Sequence, residues 1–166
     1  MDVLILRHGI AVPRGTLGYP NDDRPLTEEG IEKMEKAARG MLRVMPDVDV
    51  ILTSPLQRAR RTAEIVASAM HRRATVKFCD ELLPGSSMDT LVTLLAKYAD
   101  RESVMIVGHN PELTECISTL LGSQRTILDL KKGSLCSLHV PGLPGTKPGT
   151  LQWHMTSKQL RYLATS

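Results

Sequence analysis

The sequence has few aromatic residues, no long apolar run and no typical leader, and each of these shortages excludes a class of protein. Phe, Trp and Tyr make up only 3% of the 166 residues, so the core must be aliphatic. No apolar segment reaches the length of about 20 residues that a helix needs to cross a bilayer. Arg7 and His8 interrupt the first apolar stretch, which is unlike a signal peptide, so we expect a cytoplasmic protein without a membrane partner.

The three cysteines, Cys79, Cys116 and Cys136, lie far apart in apolar surroundings. They form no Cys-x-x-Cys pair and have no histidine at ligand spacing, so we expect no metal site. Buried free thiols in a reducing compartment are the better interpretation. The net charge of +3 permits an anionic substrate. Because there is no long basic tract and there are few aromatics to stack on bases, we expect no nucleic-acid partner.

Short apolar runs alternate with amphipathic segments along most of the chain. Runs of strand length occupy residues 2–6, 48–55 and 103–111. Apolar side chains recur at helical spacing over residues 28–45, 55–70, 88–98 and 110–122. Thr27 and Ser54 precede the first two of these helices as caps, and Pro55 would take the first helical position.

The C-terminal part has a different pattern. Residues 134–140 and 150–155 alternate in polarity and flank a Pro/Gly-rich loop, which predicts two late strands, at least one of them antiparallel at an edge. Strands that alternate with helices imply parallel crossovers. We therefore predict an α/β fold, a three-layer α/β/α sandwich with a mostly parallel central sheet, in one domain spanning residues 1–166, and we expect a monomer.

Each of the first three predicted strands ends in polar or hinge residues: Arg7-His8-Gly9, Thr53-Ser54-Pro55 and Gly108-His109-Asn110. Ligands of open α/β sheets bind at the carboxyl ends of the strands, so these segments should meet in one pocket. Arg58 follows in the first turn of the next helix and can reach back to the same edge. The candidate site therefore combines Arg7, His8, Arg58 and His109.

Two arginines and two histidines without a carboxylate between them indicate an anion site, and phosphate is the natural ligand. The planar fork of arginine matches phosphate oxygens. Helix N-termini at Ser54 and Asn110 would add N–H donors, and Gly9 would let the backbone approach the bound group closely. A neutral histidine in such a site is a competent nucleophile toward phosphorus.

The segment LRHG at residues 6–9 resembles the signature of the histidine phosphatase superfamily, which is also called phosphoglycerate mutase-like. Three further blocks follow in the family's order: RPLTEEG at 24–30, SPLQRARRTAE at 54–64 and VGHNP at 107–111. These four sequence blocks, together with the short chain, are most similar to those of the SixA-type phosphohistidine phosphatases. The resemblance implies a phosphoglycerate mutase-like fold and a phosphatase that needs no metal or other cofactor.

The resemblance also implies roles for matched residues. His8 would accept the phosphoryl group and form a phosphohistidine that water hydrolyses, while Arg7, Arg58 and His109 would hold the phosphoryl oxygens. Glu81 stands where many members carry an acidic residue and is the candidate general acid, although it is equally an ordinary loop carboxylate. Some acid phosphatases of the superfamily instead have Asp after the second histidine, where this chain has Asn110.

The substrate implied by the resemblance is a phosphorylated protein, such as a histidine-phosphotransfer domain. The segment between Arg58 and His109 is too short for the long lid of the larger members, and an open pocket suits a side chain on another protein. Two alternatives stay open. One is a phosphatase of a small phosphomonoester metabolite, and the other is a non-catalytic phosphate-binding signalling module.

Overall fold

The apolar runs form one six-stranded sheet in the computed structural model, which describes residues 1–71, 73–143 and 147–165. The strands are β1 (Asp2–Arg7), β2 (Val50–Thr53), β3 (Thr75–Phe78), β4 (Ser103–Gly108), β5 (Leu135–His139) and β6 (Thr150–Met155). Their order is β3-β2-β4-β1-β5-β6. The first four strands are parallel to one another, β5 is antiparallel to β1, and β6 is antiparallel to β5. The predictions of a mostly parallel sheet and of an antiparallel edge are confirmed.

Helices cover both faces of this sheet. They are α1 (Glu28–Met41), α2 (Gln57–Ala69), α3 (Met88–Ala96), α4 (Glu112–Leu120) and α5 (Ser157–Leu163), with a 3-10 turn at Asp80–Leu82. The helices α1, α2 and α5 share one apolar cluster, and α3 and α4 share the other. The predicted three-layer sandwich is confirmed. Over the residues described here, no helix is long and apolar enough to cross a membrane.

Strand β1 lies in the interior of the sheet, between β4 and β5. Leu4 and Leu6 contribute to the cluster on one face, and Val3 and Ile5 to the cluster on the other. All four are fully buried, because helices cover both faces. A strand buried on both sides must be apolar at every position, which explains the uninterrupted run before Arg7.

The predicted start of α2 is wrong. The helix begins at Gln57 and its N-cap is Leu56, so Ser54 does not cap it and Pro55 is not its first residue. The backbone N–H of Ser54 donates to the carbonyl of Val107 at 3.0 Å, which extends the contact with β4 beyond the end of β2. Asp23 accepts a hydrogen bond from the Gln57 N–H at 2.8 Å and so caps the helix from a distant loop.

Two other helix boundaries differ from the prediction, and one helix was not predicted. Helix α1 has the expected cap at Thr27, but it ends at Met41 rather than near Pro46 because tight turns follow it. Helix α4 begins at Glu112 with Pro111 as its N-cap. Helix α5 was not predicted, and it has only seven residues and a single buried side chain, Leu160.

Candidate active site

The carboxyl ends of β1, β2 and β4 lie side by side and bring the candidate residues together. Arg7 of β1 pairs with Gly108 of β4, and Thr53 of β2 pairs with Val107 on the other side of β4. The residues that follow these strands therefore share one edge. The ring centroids of His8 and His109 are 5.2 Å apart, with the rings tilted by 54°.

His8 is held in a defined tautomer at this edge. Its Nδ1 lies 2.7 Å from the carbonyl oxygen of Gly9. A carbonyl oxygen can only accept, so Nδ1 carries the proton and Nε2 keeps its lone pair. Burial, together with the nearby charges of Arg58 and Arg7, lowers the pKa of His8 to about 3 against the opposing effect of the Gly9 hydrogen bond. The ring is therefore neutral and nucleophilic at pH 7.

His109 is equally buried and is oriented by Ser54. Its Nε2 lies 2.8 Å from Ser54 Oγ, and that oxygen already accepts a hydrogen bond from the Leu56 N–H at 3.3 Å. The serine hydroxyl can donate to Nε2, and in that arrangement the ring proton lies on Nδ1. Burial, followed by the charge of Arg58, lowers the pKa of His109 to about 3. The ring is a neutral hydrogen-bond donor.

Arg58 is 2% exposed and is anchored by a loop residue, Asp22. Its Nη1 donates to the Asp22 carbonyl at 2.6 Å and its Nη2 to the Asp22 carboxylate at 3.2 Å. The other carboxylate oxygen of Asp22 accepts from Arg24 Nε at 2.7 Å. Asp22 has a φ of 57°, a left-handed conformation that was not predicted from the sequence. Asp22 was not among the site residues identified from the sequence.

Arg7 is fixed by the loop that precedes β5. Its Nη1 donates to the carbonyl of Leu130 at 3.1 Å, and Asn110 Nδ2 donates to the same oxygen at 3.0 Å. The Gly133 N–H contacts the carbonyl oxygens of both Arg7 and His8 at 3.0 Å. This loop therefore holds the end of β1 by its backbone, a function that sequence patterns do not reveal.

Gly9 is also needed for the packing of α1 against the end of β1. Its N–H donates to Thr62 Oγ1 at 3.0 Å and is already occupied. A Cβ atom at this position would lie 2.6 Å from Met34 Cγ, so only glycine lets α1 come this close to β1. Direct contact of Gly9 with phosphate stays a prediction.

Glu81 lies on the 3-10 turn after β3 and forms an ion pair with Lys97 at 3.3 Å. The N–H of its own backbone and the Lys97 ammonium lower the pKa of its carboxyl, which is therefore ionised at neutral pH. Within the described ranges, no hydrogen bond or ion pair links it to the four residues above. A role as general acid stays a prediction.

The buried nitrogens of the site have capacity for an anion. Arg7 Nε, Arg58 Nε and His109 Nδ1 are inaccessible to solvent and have no hydrogen-bond partner in the described part of the chain. Buried donors without partners are costly, and the oxygens of an anion are the acceptors that such donors require. The residues described hold no group of three His, Cys, Asp or Glu side chains able to bind a metal ion.

Comparison with known proteins identifies the family. The model of the histidine phosphatase superfamily (branch 1) matches residues 3–83, which include Arg7, His8 and Arg58. This chain belongs to the histidine phosphatase superfamily. It is 34% identical to an uncharacterized protein of Picosynechococcus sp. over 142 residues, covering 83% of this chain and 84% of that protein. It is 24% identical to the phosphohistidine phosphatase SixA of Escherichia coli over 164 residues, covering 97% of each chain.

Solved structures confirm the phosphoglycerate mutase-like fold of this histidine phosphatase. The protein histidine phosphatase SixA in complex with tungstate superposes with a TM-score of 0.83 at 24% identity, covering 96% of this chain and 99% of that one. An alpha-ribazole phosphatase from Shigella flexneri superposes with a TM-score of 0.70 at 18% identity, covering 95% and 97%. The chain is a phosphatase, and its relatives differ in their substrates.

Proposed function

We propose that this phosphatase removes the phosphoryl group from phosphohistidine on a protein, through a phosphohistidine formed at His8. One observation carries the proposal. The neutral His8 ring keeps its lone pair on Nε2 and lies 5.2 Å from the His109 ring between centroids. Arg7, Arg58 and His109 each have a buried N–H group that has no partner among the described residues. This combination supplies both a nucleophile and donors for the oxygens of the group it attacks.

In the first half-reaction, His8 Nε2 attacks phosphorus while the bond to the leaving group breaks and its electron pair departs with that group. Arg7, Arg58 and the N–H of His109 neutralise charge on the three phosphoryl oxygens. His8 becomes positively charged as its N–P bond forms. Its Nδ1–H, 2.7 Å from the Gly9 carbonyl, shares this charge and keeps the ring in the orientation for attack.

In the second half-reaction, the oxygen of a water molecule attacks phosphorus and the N–P bond breaks. The bonding pair returns to His8 Nε2, and the protons of the water remain with phosphate and solvent. His8 is neutral again, as its low pKa requires. The cycle consumes one water and releases inorganic phosphate, and the chain's own cations supply all of the charge stabilisation.

The chemistry of the leaving group favours phosphohistidine over an alkyl phosphate as the substrate. A protonated phosphoimidazole departs as neutral imidazole, which needs no acid from the enzyme. An alkoxide needs a proton, and the candidate donor, Glu81, is an ionised carboxylate paired with Lys97. Between Arg58 and His109 the chain forms the rest of α2, then β3, the 3-10 turn, α3 and β4, so elements of the sandwich itself take up most of this segment. The similarity to SixA agrees with this substrate.

The second candidate is a phosphatase of a small phosphomonoester, which the likeness to an alpha-ribazole phosphatase favours. A non-catalytic phosphate-binding module is the third, and the neutral nucleophile at His8 speaks against it. We further propose a cytoplasmic protein that needs no metal, in keeping with its three unpaired cysteines. Activity that persists in EDTA would support the metal-free reaction.

The test is to trap the intermediate and compare substrates. With a ³²P-labelled histidine-phosphotransfer domain, rapid quench should capture an acid-labile, base-stable phosphoenzyme that maps to His8. The His8→Ala variant should form none and should lose at least about 10³-fold in turnover. Equal turnover by the variant and the wild type contradicts the nucleophile, and a higher kcat/KM for 3-phosphoglycerate than for the domain contradicts the protein substrate.

A further inference from the structure

A second strongly basic region adjoins the candidate active site. It is a cavity of about 430 Å³ between α1, the loop before β5 and α5. Six cationic side chains line it, and we call it the basic cleft: Arg7, Lys33, Lys131, Lys132, Lys158 and Arg161. No carboxylate is among the lining residues that the structure describes. An arrangement of this kind is complementary to more than one negative charge.

The basic cleft is rigidly connected to the nucleophile. Arg7 and Gly9 line the cleft and also flank His8 in the sequence. Lys131 and Lys132 lie between two residues whose backbones are bonded to the end of β1, since Leu130 accepts from Arg7 and Gly133 donates to Arg7 and His8. The cleft therefore begins at the two residues that flank His8 in the sequence.

The cations of the cleft are poorly neutralised. Lys33 pairs with Glu29 of the same helix, but Lys131, Lys132, Lys158 and Arg161 form no ion pair with a described carboxylate. Burial and repulsion from nearby arginines, Arg7 among them, lower the pKa of Lys132. Uncompensated repulsion between cations is unfavourable, and a bound anion relieves it.

We propose that the basic cleft binds acidic side chains of the phosphoprotein next to its phosphorylated histidine. The inference rests on the proposed function and adds the recognition of the residues around the phosphoryl group. Cations on three separate elements span a wider area than the single carboxylate of a small metabolite would occupy. Lys131 and Lys158 are exposed at its rim, where they are accessible to a partner surface.

The test uses two phosphohistidine peptides that differ only in having glutamates or glutamines on both sides of the phosphohistidine. The double variant Lys131→Gln/Lys158→Gln removes two rim charges without touching the residues around His8. Its matched control is Lys36→Gln/Arg43→Gln, which removes two exposed charges outside the cleft. Kinetics are measured on both peptides, on 3-phosphoglycerate and on p-nitrophenyl phosphate.

For the wild type we expect a lower KM for the glutamate peptide, and an advantage that shrinks as salt is raised. In the Lys131/Lys158 variant the KM for the glutamate peptide should rise about tenfold, while kcat for this peptide stays within about twofold of the wild-type value. The KM and kcat for the glutamine peptide and for p-nitrophenyl phosphate should also stay within about twofold. The control variant should behave as the wild type.

Three results would overturn the inference. The first is an unchanged KM of the cleft variant for the glutamate peptide. The second is an equal loss on p-nitrophenyl phosphate, which would make the two lysines part of phosphate binding. The third is a selective loss on 3-phosphoglycerate, which would assign the cleft to a small metabolite. By contrast, a wild type that hydrolyses p-nitrophenyl phosphate but neither peptide contradicts the proposed function itself.

Discussion

Ser54 Oγ lies 2.8 Å from His109 Nε2, and both side chains are buried at the junction of β2 and β4. The contact joins two residues that are 55 positions apart in the sequence. The contact orients the His109 ring and, where the serine hydroxyl is the donor, keeps the ring proton on Nδ1. The serine is thus a positioning residue, because it acts through the histidine and not on the phosphoryl group.

Removal of this hydroxyl should impair turnover more than binding. In Ser54→Ala, His109 loses the partner that fixes its tautomer, and we expect kcat for p-nitrophenyl phosphate to fall about tenfold with little change in KM. Ser137→Ala is the matched control, since Ser137 is also a fully buried serine but pairs with Gln152. A fall of similar size in both variants would indicate a general packing defect instead.

The network around Asp22 should stabilise the fold in a pH-dependent way. Burial alone would raise the pKa of Asp22, but the hydrogen bond from Arg24 and the charges of Arg58, Arg24 and Arg14 lower it. A carboxyl with a lowered folded-state pKa stabilises the protein above its unfolded pKa, and this contribution disappears as the pH falls through the folded value.

We therefore expect Asp22→Asn to reduce the free energy of unfolding by about 1 kcal/mol at pH 7 and by much less near pH 3. Urea denaturation at the two pH values measures the difference. Asp47→Asn is the control, because Asp47 is exposed and pairs only loosely with Arg73 at 3.8 Å. A deficit that is the same at both pH values would exclude an ionic origin.

The two site histidines should make the fold sensitive to mild acid. The pKa of each is lowered to about 3 by burial, whereas an unfolded histidine titrates near 6.5. Below about pH 6.5 the two histidines bind protons in the unfolded state but not in the folded state, so the free energy of unfolding falls as the pH falls. The combined slope approaches about 2.7 kcal/mol per pH unit.

The variant His8→Gln isolates one of these two contributions. Its free energy of unfolding should depend less on pH between 6 and 5, by about 1.4 kcal/mol per pH unit relative to the wild type. In the wild type, NMR signals of the His8 and His109 rings should not titrate above about pH 4. A midpoint near 6.5 for either ring would contradict the neutral, buried state.

Glu81 should matter only when the leaving group needs a proton. Its ionised carboxylate has no role in releasing an imidazole, so Glu81→Gln should hydrolyse a phosphohistidine peptide within about twofold of the wild-type rate. With an alkyl phosphate a general acid contributes about 10²-fold or more, and a loss confined to that substrate would identify Glu81 as the donor. A loss on both substrates would point to a structural role of its pair with Lys97.

The sequence predicted most of the sheet and the residues at its edge. A buried strand is an apolar run, and parallel strands end at a common edge, so Arg7, His8 and His109 could be placed together without a structure. The boundary of α2 was not predictable in this way. Proline after serine is a standard helix start, but here Ser54 bonds to β4 and His109, and a distant Asp23 caps the helix.

The contacts that loops make with the site could not be predicted from the sequence, because they depend on backbone conformation and on strand register. The hydrogen bonds between Arg58 and Asp22 depend on a left-handed backbone conformation at Asp22, which is uncommon for residues other than glycine. The contact of Gly133 with Arg7 and His8 depends on the register of an antiparallel strand far along the chain. Helix α5 did carry a local signal, since Thr156 and Gln159 form a capping box, a pattern visible in the sequence.

The position of β1 has a consequence for synthesis. The strand that ends beside His8 is made first of the six, yet its two neighbours are β4, which ends at Gly108, and β5, which ends at His139. Until both are made, β1 has unpaired edges, and an exposed apolar edge invites aggregation. A nascent chain stopped after α4 therefore holds every predicted site residue but lacks the strand that closes the sheet beside His8.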